Sequence, residues 1–238
     1  VRMTIRGSHD GRFWFDLASF PPPKPALPLN FPETDMHLRV FKTSAKSLKE
    51  HYSWEDISNL VQKVKPTEVN QVETLSWQSP EESTDAYFLL WSGPLVQERE
   101  GAIRIEVSGR NTALMLNGKL EMPIREGTQS VDLFVPRGVH KLNIFTIATP
   151  EAKSVEAKLA RENRQSSIVK MRPFTAPDFD LDSAADIPYF EPVPAPEITQ
   201  EENHWSLSMP SRELRFIDFE FLEYRGEAIA ISNVEISG

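Results

Sequence analysis

The chain has 238 residues, a formal charge of −9 and no cysteine. A chain of this length can bury a core without a disulfide or a metal as a staple, and the lack of cysteine excludes thiol catalysis and thiolate zinc sites. The acidic balance, with no cluster of lysine and arginine to reverse it locally, argues against nucleic acid as a partner.

A β-hairpin and a spacer are the first predicted elements. RMTIRG (residues 2–7) and RFWFDLASF (12–20) alternate apolar and polar residues around a turn, which predicts a flanking hairpin over 1–20. Six prolines follow in residues 21–32, and proline cannot supply the N–H donors of a β-ladder. This pattern indicates an extended linker over 21–35, with a ligand for a proline-binding module as the alternative.

A strand and a short helix come next. MHLRVFK (36–42) predicts the first strand of the following unit. Ser53 is a suitable N-cap, acidic residues fill the turn after it, and apolar residues recur at helical spacing until Pro66. These residues predict one helix over 53–64.

From Val69 onward the period of the pattern is two. Short alternating segments are separated by turn residues, which is typical of an antiparallel β-sandwich. They are residues 69–77, 86–91, 102–109, 112–118, 130–136 and 139–147. The fold class is therefore predicted to be all-β, with the sandwich over 36–172.

Two segments after these strands are less regular. In residues 149–164, Thr149-Pro150 could start a helix, but the alternation of Val155, Ala157 and Leu159 favours a strand. Residues 173–203 are rich in proline and acid with isolated aromatic residues, which predicts an extended strap.

The last segment, 204–238, predicts flanking strands of a partial second module. RELRFIDFEFLEY and EAIAISNVEIS alternate on either side of Gly226. The two flanking strand pairs either belong to neighbouring β modules or pack together as a partial second sheet. Because the chain starts on one strand-like pattern and stops on another, we expect a piece of a longer, modular protein. No apolar run approaches the roughly 20 residues that span a bilayer, so no transmembrane segment is expected.

Four pieces of the sandwich segment together resemble the PA14 domain. They are Phe88–Leu95 (aromatic-x-x-Trp-Ser-Gly-x-Leu), Glu100–Val107 (Glu-Gly opening an alternating strand), Ala113–Lys119 (Ala-Leu-Met-Leu-Asn-Gly-Lys) and Val135–Leu142 (Val-Pro-Arg-Gly-Val-His-Lys-Leu). The match covers roughly residues 36–148 and is clearest over 87–147. Asn117-Gly118 predicts a tight hairpin turn, and Gly93 and Gly101 are expected to bracket a connection between strands.

The resemblance implies a sandwich that in bacteria and fungi often serves as an accessory module of glycosidases, adhesins and other surface proteins. Some of these modules bind glycans, and sugar-binding members hold calcium with adjacent aspartates in the loop before the ALMLNGK-like strand. That pair aligns with Gly109-Arg110 here, and Arg110 supplies positive charge where the ion needs oxygen ligands. Calcium-dependent sugar binding is therefore not expected at this loop, and neither a metal nor a cofactor is expected.

No catalytic constellation is recognisable in the sequence. No Gly-x-Ser-x-Gly elbow occurs, and the five histidines lack metal-ligand spacing. Asp178, Asp180 and Asp182 alternate like EF-hand ligands, but Ser183 and Tyr189 replace the glycine and glutamate of that loop. A solvated acidic strap is the preferred interpretation, and we do not expect the chain to be an enzyme.

Aromatic residues are the remaining candidates for ligand contact. Trp77 and Trp205 border polar segments and are the candidate glycan-binding residues, with packing against the core or the strap as the alternative. Trp91 ends an apolar run and is expected to be buried.

The preferred function is a non-catalytic β-sandwich module of a bacterial cell-envelope or secreted protein, for adhesion, assembly or glycan attachment. One alternative is a carbohydrate-binding accessory domain of a glycoside-active enzyme whose catalytic part lies outside this chain. Another is an enzyme in its own right, because a fold never excludes a site. The expected partners are a glycan or protein at the cell surface and neighbouring domains of a longer chain, and the expected location is extracellular or the cell envelope.

Overall fold

The computed structural model describes residues 2–22, 35–162, 170–181, 186–190, 197–201, 204–208 and 214–223. The chain divides into a larger unit of residues 25–192 and a smaller unit of residues 1–24 together with 193–238. Most of the predicted linker (23–34), Asp182 with Ser183, and the last predicted strand (227–237) lie outside the described residues.

Antiparallel strands dominate both units. In chain order the described strands are β1 (Arg2–Ser8), β2 (Phe15–Phe20), β3 (His37–Ser44), β4 (Glu68–Gln71), β5 (Ser76–Gln78), β6 (Asp85–Gln97), β7 (Gly101–Val107), β8 (Arg110–Leu116), β9 (Lys119–Arg125), β10 (Gln129–Val135), β11 (Gly138–Ala148), β12 (Ser154–Arg161), β13 (Arg172–Pro173), β14 (Glu197–Glu201), β15 (His204–Ser208) and β16 (Phe216–Glu223). The α-helix of the described residues, α1, spans Trp54–Lys63, and single 3₁₀ turns span Ala45–Ser47 and Ala176–Asp178.

The larger unit is a β-sandwich, as predicted. Its sheet A runs β13-β12-β7-β10, with β5 also paired to β12, and its sheet B runs β4-β3-β6-β11-β8-β9. Alternate side chains of the two sheets meet in one core. The main contributors are Leu89, Trp91, Leu114, Leu142 and Ile144 from sheet B and Ile103, Ile105, Val135, Val155 and Leu159 from sheet A. Trp91 is fully buried there, as expected, because covering a large apolar ring stabilises the fold most.

Sheet B is covered on its outer face as well. The outward side chains Phe41, Phe88, Phe145 and Ile147 pack against Trp54 and Ile57 of α1. Two covered faces explain why nearly every residue of β6 and β11 is buried. The helix begins as predicted at Ser53, whose hydroxyl accepts from the Asp56 N–H while the Asp56 carboxylate accepts from the Ser53 N–H.

Turns and glycines account for where the strand predictions hold and where they are wrong. Asn117-Gly118 forms the predicted two-residue turn between β8 and β9, with φ values of 50° and 81°. The prediction that Gly93 brackets a connection is wrong, because β6 continues through Gly93 and pairs it with Leu142 of β11. The ambiguous segment 149–164 contains a strand, β12, as favoured.

Strand β9 is not predicted by the sequence pattern. It carries Pro123, which its position at the end of sheet B tolerates. Register shifts in its pairing with β8 also disrupt strict alternation. Both features remove the period-two signal on which strand prediction depends.

In the smaller unit, the flanking strands from the two ends of the chain pack together. β1 pairs with β2 on one side and with β16 on the other, and β14 pairs with β15 as a separate hairpin. Buried apolar side chains of this unit include Met3, Ile5, Phe13, Phe15 and Leu17. The strands that flank the sandwich in the sequence therefore pair with one another across the two ends of the chain. Residues 197–201, expected within an extended strap, form the hairpin strand β14.

Candidate functional site

Trp77, a predicted glycan contact, lies at the margin of the sandwich core. It belongs to β5, where Leu75 and Ser79 on either side of it are buried. Its ring centroid lies 4.9 Å from that of Tyr87, and the ring is only partly buried. Part of the Trp77 ring thus packs against Tyr87 and the core, and the exposed part of the ring can contact a ligand.

Trp205, the second predicted contact, lies in the smaller unit on β15. Its ring forms a T-shaped pair with Phe20, with centroids 4.5 Å apart and an interplanar angle of 89°. The side chain is half-buried. Trp77 and Trp205 thus belong to different units, each of which places its tryptophan against another aromatic ring.

The loop between β7 and β8 aligns with the calcium-binding loop of the PA14 domains that the sequence resembles. Arg110 Nε is buried there without a hydrogen-bond partner. The pKa of Glu151 is lowered, first by its own backbone N–H, then by the Thr149 hydroxyl and further by the charge of Arg110. Among the described residues, no three of histidine, aspartate and glutamate are grouped so as to hold a metal ion.

Asp178 corrects the expectation of a solvated acidic strap. It is 1% exposed and accepts hydrogen bonds from Arg161, from Arg172 (2.6 and 2.7 Å) and from the Thr175 N–H (3.0 Å). Burial would raise the pKa of Asp178, but the hydrogen bonds from Arg172 and Arg161 outweigh it and hold the pKa below its ordinary value. Both oxygens of the Asp178 carboxylate accept hydrogen bonds from guanidinium groups, so this carboxylate is not a calcium ligand. The ion pair with Arg161 also anchors the residues around Asp178 to β12.

A cleft of about 330 Å³ lies between α1 and the outer face of sheet B. Tyr52, Phe88 and Phe145 line it, with Asn59 and Lys63 of α1 beside them. The volume is at the lower end for small-molecule sites. However, Phe88 is 6% and Phe145 1% exposed, so the floor offers little open ring face for stacking.

An exposed aromatic ring stands on a short segment beside β11, residues 186–190, which we name the ledge. Tyr189 is 67% exposed and forms a parallel bridge with Val139. The Val139 N–H donates to the Pro188 carbonyl and the Phe190 N–H to the Val139 carbonyl, both at 2.9 Å. The ring of Tyr189 is therefore open to solvent while the backbone on both sides of it is fixed.

The rest of the ledge faces the sandwich. Ile187 packs with Val96, Val139 and Leu181 in a small apolar cluster. Arg137 donates from Nη2 to the Asp186 carbonyl at 3.2 Å. The sequence showed an isolated tyrosine in a proline-rich strap, and no local signal distinguishes it from an aromatic residue that packs inward.

His140 lies beneath the ledge and is 1% exposed. Its Nε2–H donates to the Pro136 carbonyl at 2.8 Å, and its Nδ1 accepts from the Asn117 amide at 2.9 Å. The Asn117 orientation is fixed because its Oδ1 accepts the Lys141 N–H at 2.9 Å. The ring also contacts Phe190, with centroids 4.6 Å apart. Burial lowers the pKa of His140, which the hydrogen bond to Pro136 only partly opposes, so the ring is neutral at pH 7.

No helix in the described ranges is both long and apolar enough to cross a membrane. No family model matches the chain, and neither does any curated protein.

Solved structures with a similar fold include PA14 domains. The PA14 domain of the MpAFP antifreeze protein is 10% identical, covering 65% of this chain and 95% of that one, with a TM-score of 0.46. The PA14 sugar-binding domain of an RTX adhesin is 9% identical, covering 58% and 94%, with a TM-score of 0.43. A β-glucosidase of Kluyveromyces marxianus is 12% identical, covering 54% of this chain and 14% of that one, with a TM-score of 0.36. Similarities this distant say nothing about the ligand of this chain.

Proposed function

We propose that this chain is a non-catalytic module that attaches a bacterial cell-envelope or secreted protein to a glycan, in adhesion or assembly. The observation that carries the proposal is the Tyr189 ring, exposed on a backbone that is fixed by hydrogen bonds at both neighbours. A rigid aromatic side chain loses little conformational entropy on binding. Such a ring suits the apolar face of a sugar, and its hydroxyl suits the polar edge.

The PA14-like motifs of residues 87–147 support the same function. The ledge borders this region because it pairs with Val139 of β11. Trp77 and Trp205 are kept in the proposal as additional contacts, one in each unit. The proposed location is the cell exterior, with a glycan or surface protein as the partner and further domains in the parent protein.

The alternative is a carbohydrate-binding accessory domain of a glycoside-active enzyme. Both candidate functions require glycan binding by this chain, so they differ only in the neighbouring domains of the parent protein. A catalytic domain next to this segment in the parent gene would favour the accessory role, and an adhesive or structural neighbour would favour attachment.

A glycan array with the purified chain tests the proposal. We expect saturable binding that Tyr189→Ala weakens about tenfold or more, equivalent to ~1.4 kcal/mol, and that Tyr189→Phe largely retains because it keeps the ring. Phe216→Ala is the matched control, since Phe216 is also an exposed aromatic residue (47%) but lies in the smaller unit.

Each outcome of the array has a defined meaning. No binding to any glycan by the folded chain would contradict the proposal. Binding that survives Tyr189→Ala but is lost in Trp77→Ala or Trp205→Ala would keep the function and move the site to that tryptophan.

A further inference from the structure

The contacts of His140 require a neutral ring. Nδ1 can accept the amide hydrogen of Asn117 only while it carries no proton of its own. A second proton on the ring would place two N–H donors against each other. Asn117 cannot relieve this by turning its amide around, because it would then lose the hydrogen bond from the Lys141 N–H.

Protonation also has no compensating acid nearby. The ring is opposite Leu95 of β6, beneath Phe190 of the ledge and next to Asn117 of the β8–β9 turn. The nearest charged residues in the sequence, Arg137 and Lys141, are both cationic. No carboxylate of the described residues lies within ion-pair distance of the ring, and no charged group is among the causes of its shifted pKa.

We propose that His140 is an acid-sensitive latch for the ledge: at neutral pH the uncharged ring holds Phe190, and protonation of the ring releases residues 186–190 together with Tyr189. The released ring of Tyr189 is no longer fixed, so glycan affinity falls. This regulation rests on the proposed function, but the release itself does not.

The direction of the pH effect follows from the lowered pKa of His140. In the released state the pKa returns toward its ordinary value of 6.5, so that state takes up a proton more readily than the latched state. The latch is therefore intact above about pH 6.5 and weakens progressively as the pH falls below it.

Solution NMR without any glycan tests the latch directly. We expect the amide signals of Val139 and Phe190 to keep their native positions from about pH 7.5 to 6.5 and to shift or disappear together toward about pH 4.5. In Asn117→Asp a carboxylate replaces the amide donor and can accept a proton on Nδ1, so the signals should persist to lower pH. Asparagine and aspartate both tolerate the positive φ at position 117, so this variant should fold.

Two further variants complete the test. His140→Gln cannot acquire a charge in this range and should show no transition, whereas His51→Gln removes an exposed histidine (85% side-chain exposure) and should retain it. The same pH series with a glycan from the array is expected to show affinity falling with the Val139 and Phe190 signals.

The results separate the two proposals. Native signals down to about pH 4.5 in the unchanged chain, or the same transition in His140→Gln, would overturn the latch. If the latch opens but no glycan binds at any pH, the proposed function fails and the latch stands. If glycan binds equally at both ends of the pH range while the ledge opens, the control of binding by the latch is overturned.

Discussion

Gly93 of β6 lies directly against the backbone of Met36. A Cβ atom built on Gly93 would be 2.6 Å from Met36 Cα and 2.8 Å from the carbonyl oxygen of Asp35. Contacts with backbone atoms cannot be relieved by a change of rotamer. The glycine of the Trp-Ser-Gly motif is thus explained by close packing within a strand.

Gly93→Ala is expected to destabilise the fold by about 1–3 kcal/mol through overpacking. Urea unfolding followed by tryptophan fluorescence measures the change. Gly101→Ala is the matched control, because the nearest atom to its added Cβ would be Glu162 Oε2 at an ordinary 3.7 Å. An equal loss in both variants would show that intrinsic glycine conformation matters more than the contact with Met36.

Asp178→Asn is expected to destabilise the larger unit by about 1–3 kcal/mol. The change leaves Arg161 and Arg172 without their carboxylate, but these side chains are 32% and 46% exposed, so the loss should be smaller than for a fully buried pair. Asp85→Asn is the control, because it breaks a solvent-accessible ion pair with Lys42 and should cost much less than Asp178→Asn. Chemical denaturation of both variants compares the two pairs, and equal losses would contradict a special role for Asp178.

The same carboxylate should contribute to acid unfolding. Its folded pKa is lowered below the ordinary 3.8, so its stabilisation is present above about pH 3.8 and is lost as the pH falls through the folded pKa. The difference in unfolding free energy between the unchanged chain and Asp178→Asn should therefore shrink as the solution is acidified below that value. A difference that stays constant throughout would contradict the assignment.

Ser53→Ala is expected to cost about 1 kcal/mol by removing the N-cap of α1. Ser47→Ala is a control at an exposed serine for which we expect no measurable change.

In the unchanged chain the hydrogen bond from Lys49, followed by that from the Ser53 N–H, lowers the pKa of Asp56 to about 2. The capping contribution of Asp56 should thus persist in moderately acidic solution and be lost only as the pH approaches about 2, which circular dichroism can follow.

Gly118→Ala should destabilise the β8–β9 turn by about 1–2 kcal/mol, the cost of a left-handed conformation for a residue with a Cβ. Its φ is 81°, and an added Cβ would meet nothing within 4 Å, so the loss reports backbone conformation alone. Thermal unfolding of Gly118→Ala beside Gly118→Asn measures it, because asparagine tolerates this region better. Similar midpoints for the alanine variant and the unchanged chain would contradict a conformational cost at the positive φ of position 118.

Residues that act through their sequence neighbours were predictable. Ser53 caps the helix through an N–H three residues away, and Asn117-Gly118 closes a turn within four residues. Trp91 could be placed in the core because the apolar run around it leaves no polar face. In each case the cause lies within a few positions of the chain, where spacing records it.

Residues that act through distant partners were not predictable in the same way. Asp178 looked like a solvated acid because Arg161, which donates a hydrogen bond to its carboxylate, is 17 positions away. Tyr189 is exposed because Phe190 and Ile187 find partners on β6 and β11. The sequence pattern shows only that His140 lacks metal-ligand spacing, because Asn117, which donates to its ring, lies 23 positions earlier.

The sequence by itself determined the all-β class, the single helix of the described residues and the turn at Asn117, because period and turn chemistry are local properties of the chain. Only the tertiary structure decided which aromatic ring faces solvent, which buried carboxylate is paired with arginine side chains and which histidine must stay uncharged. These properties depend on burial and on hydrogen bonds between distant segments, since the dielectric environment and the partners of a side chain exist only once the sheets have packed.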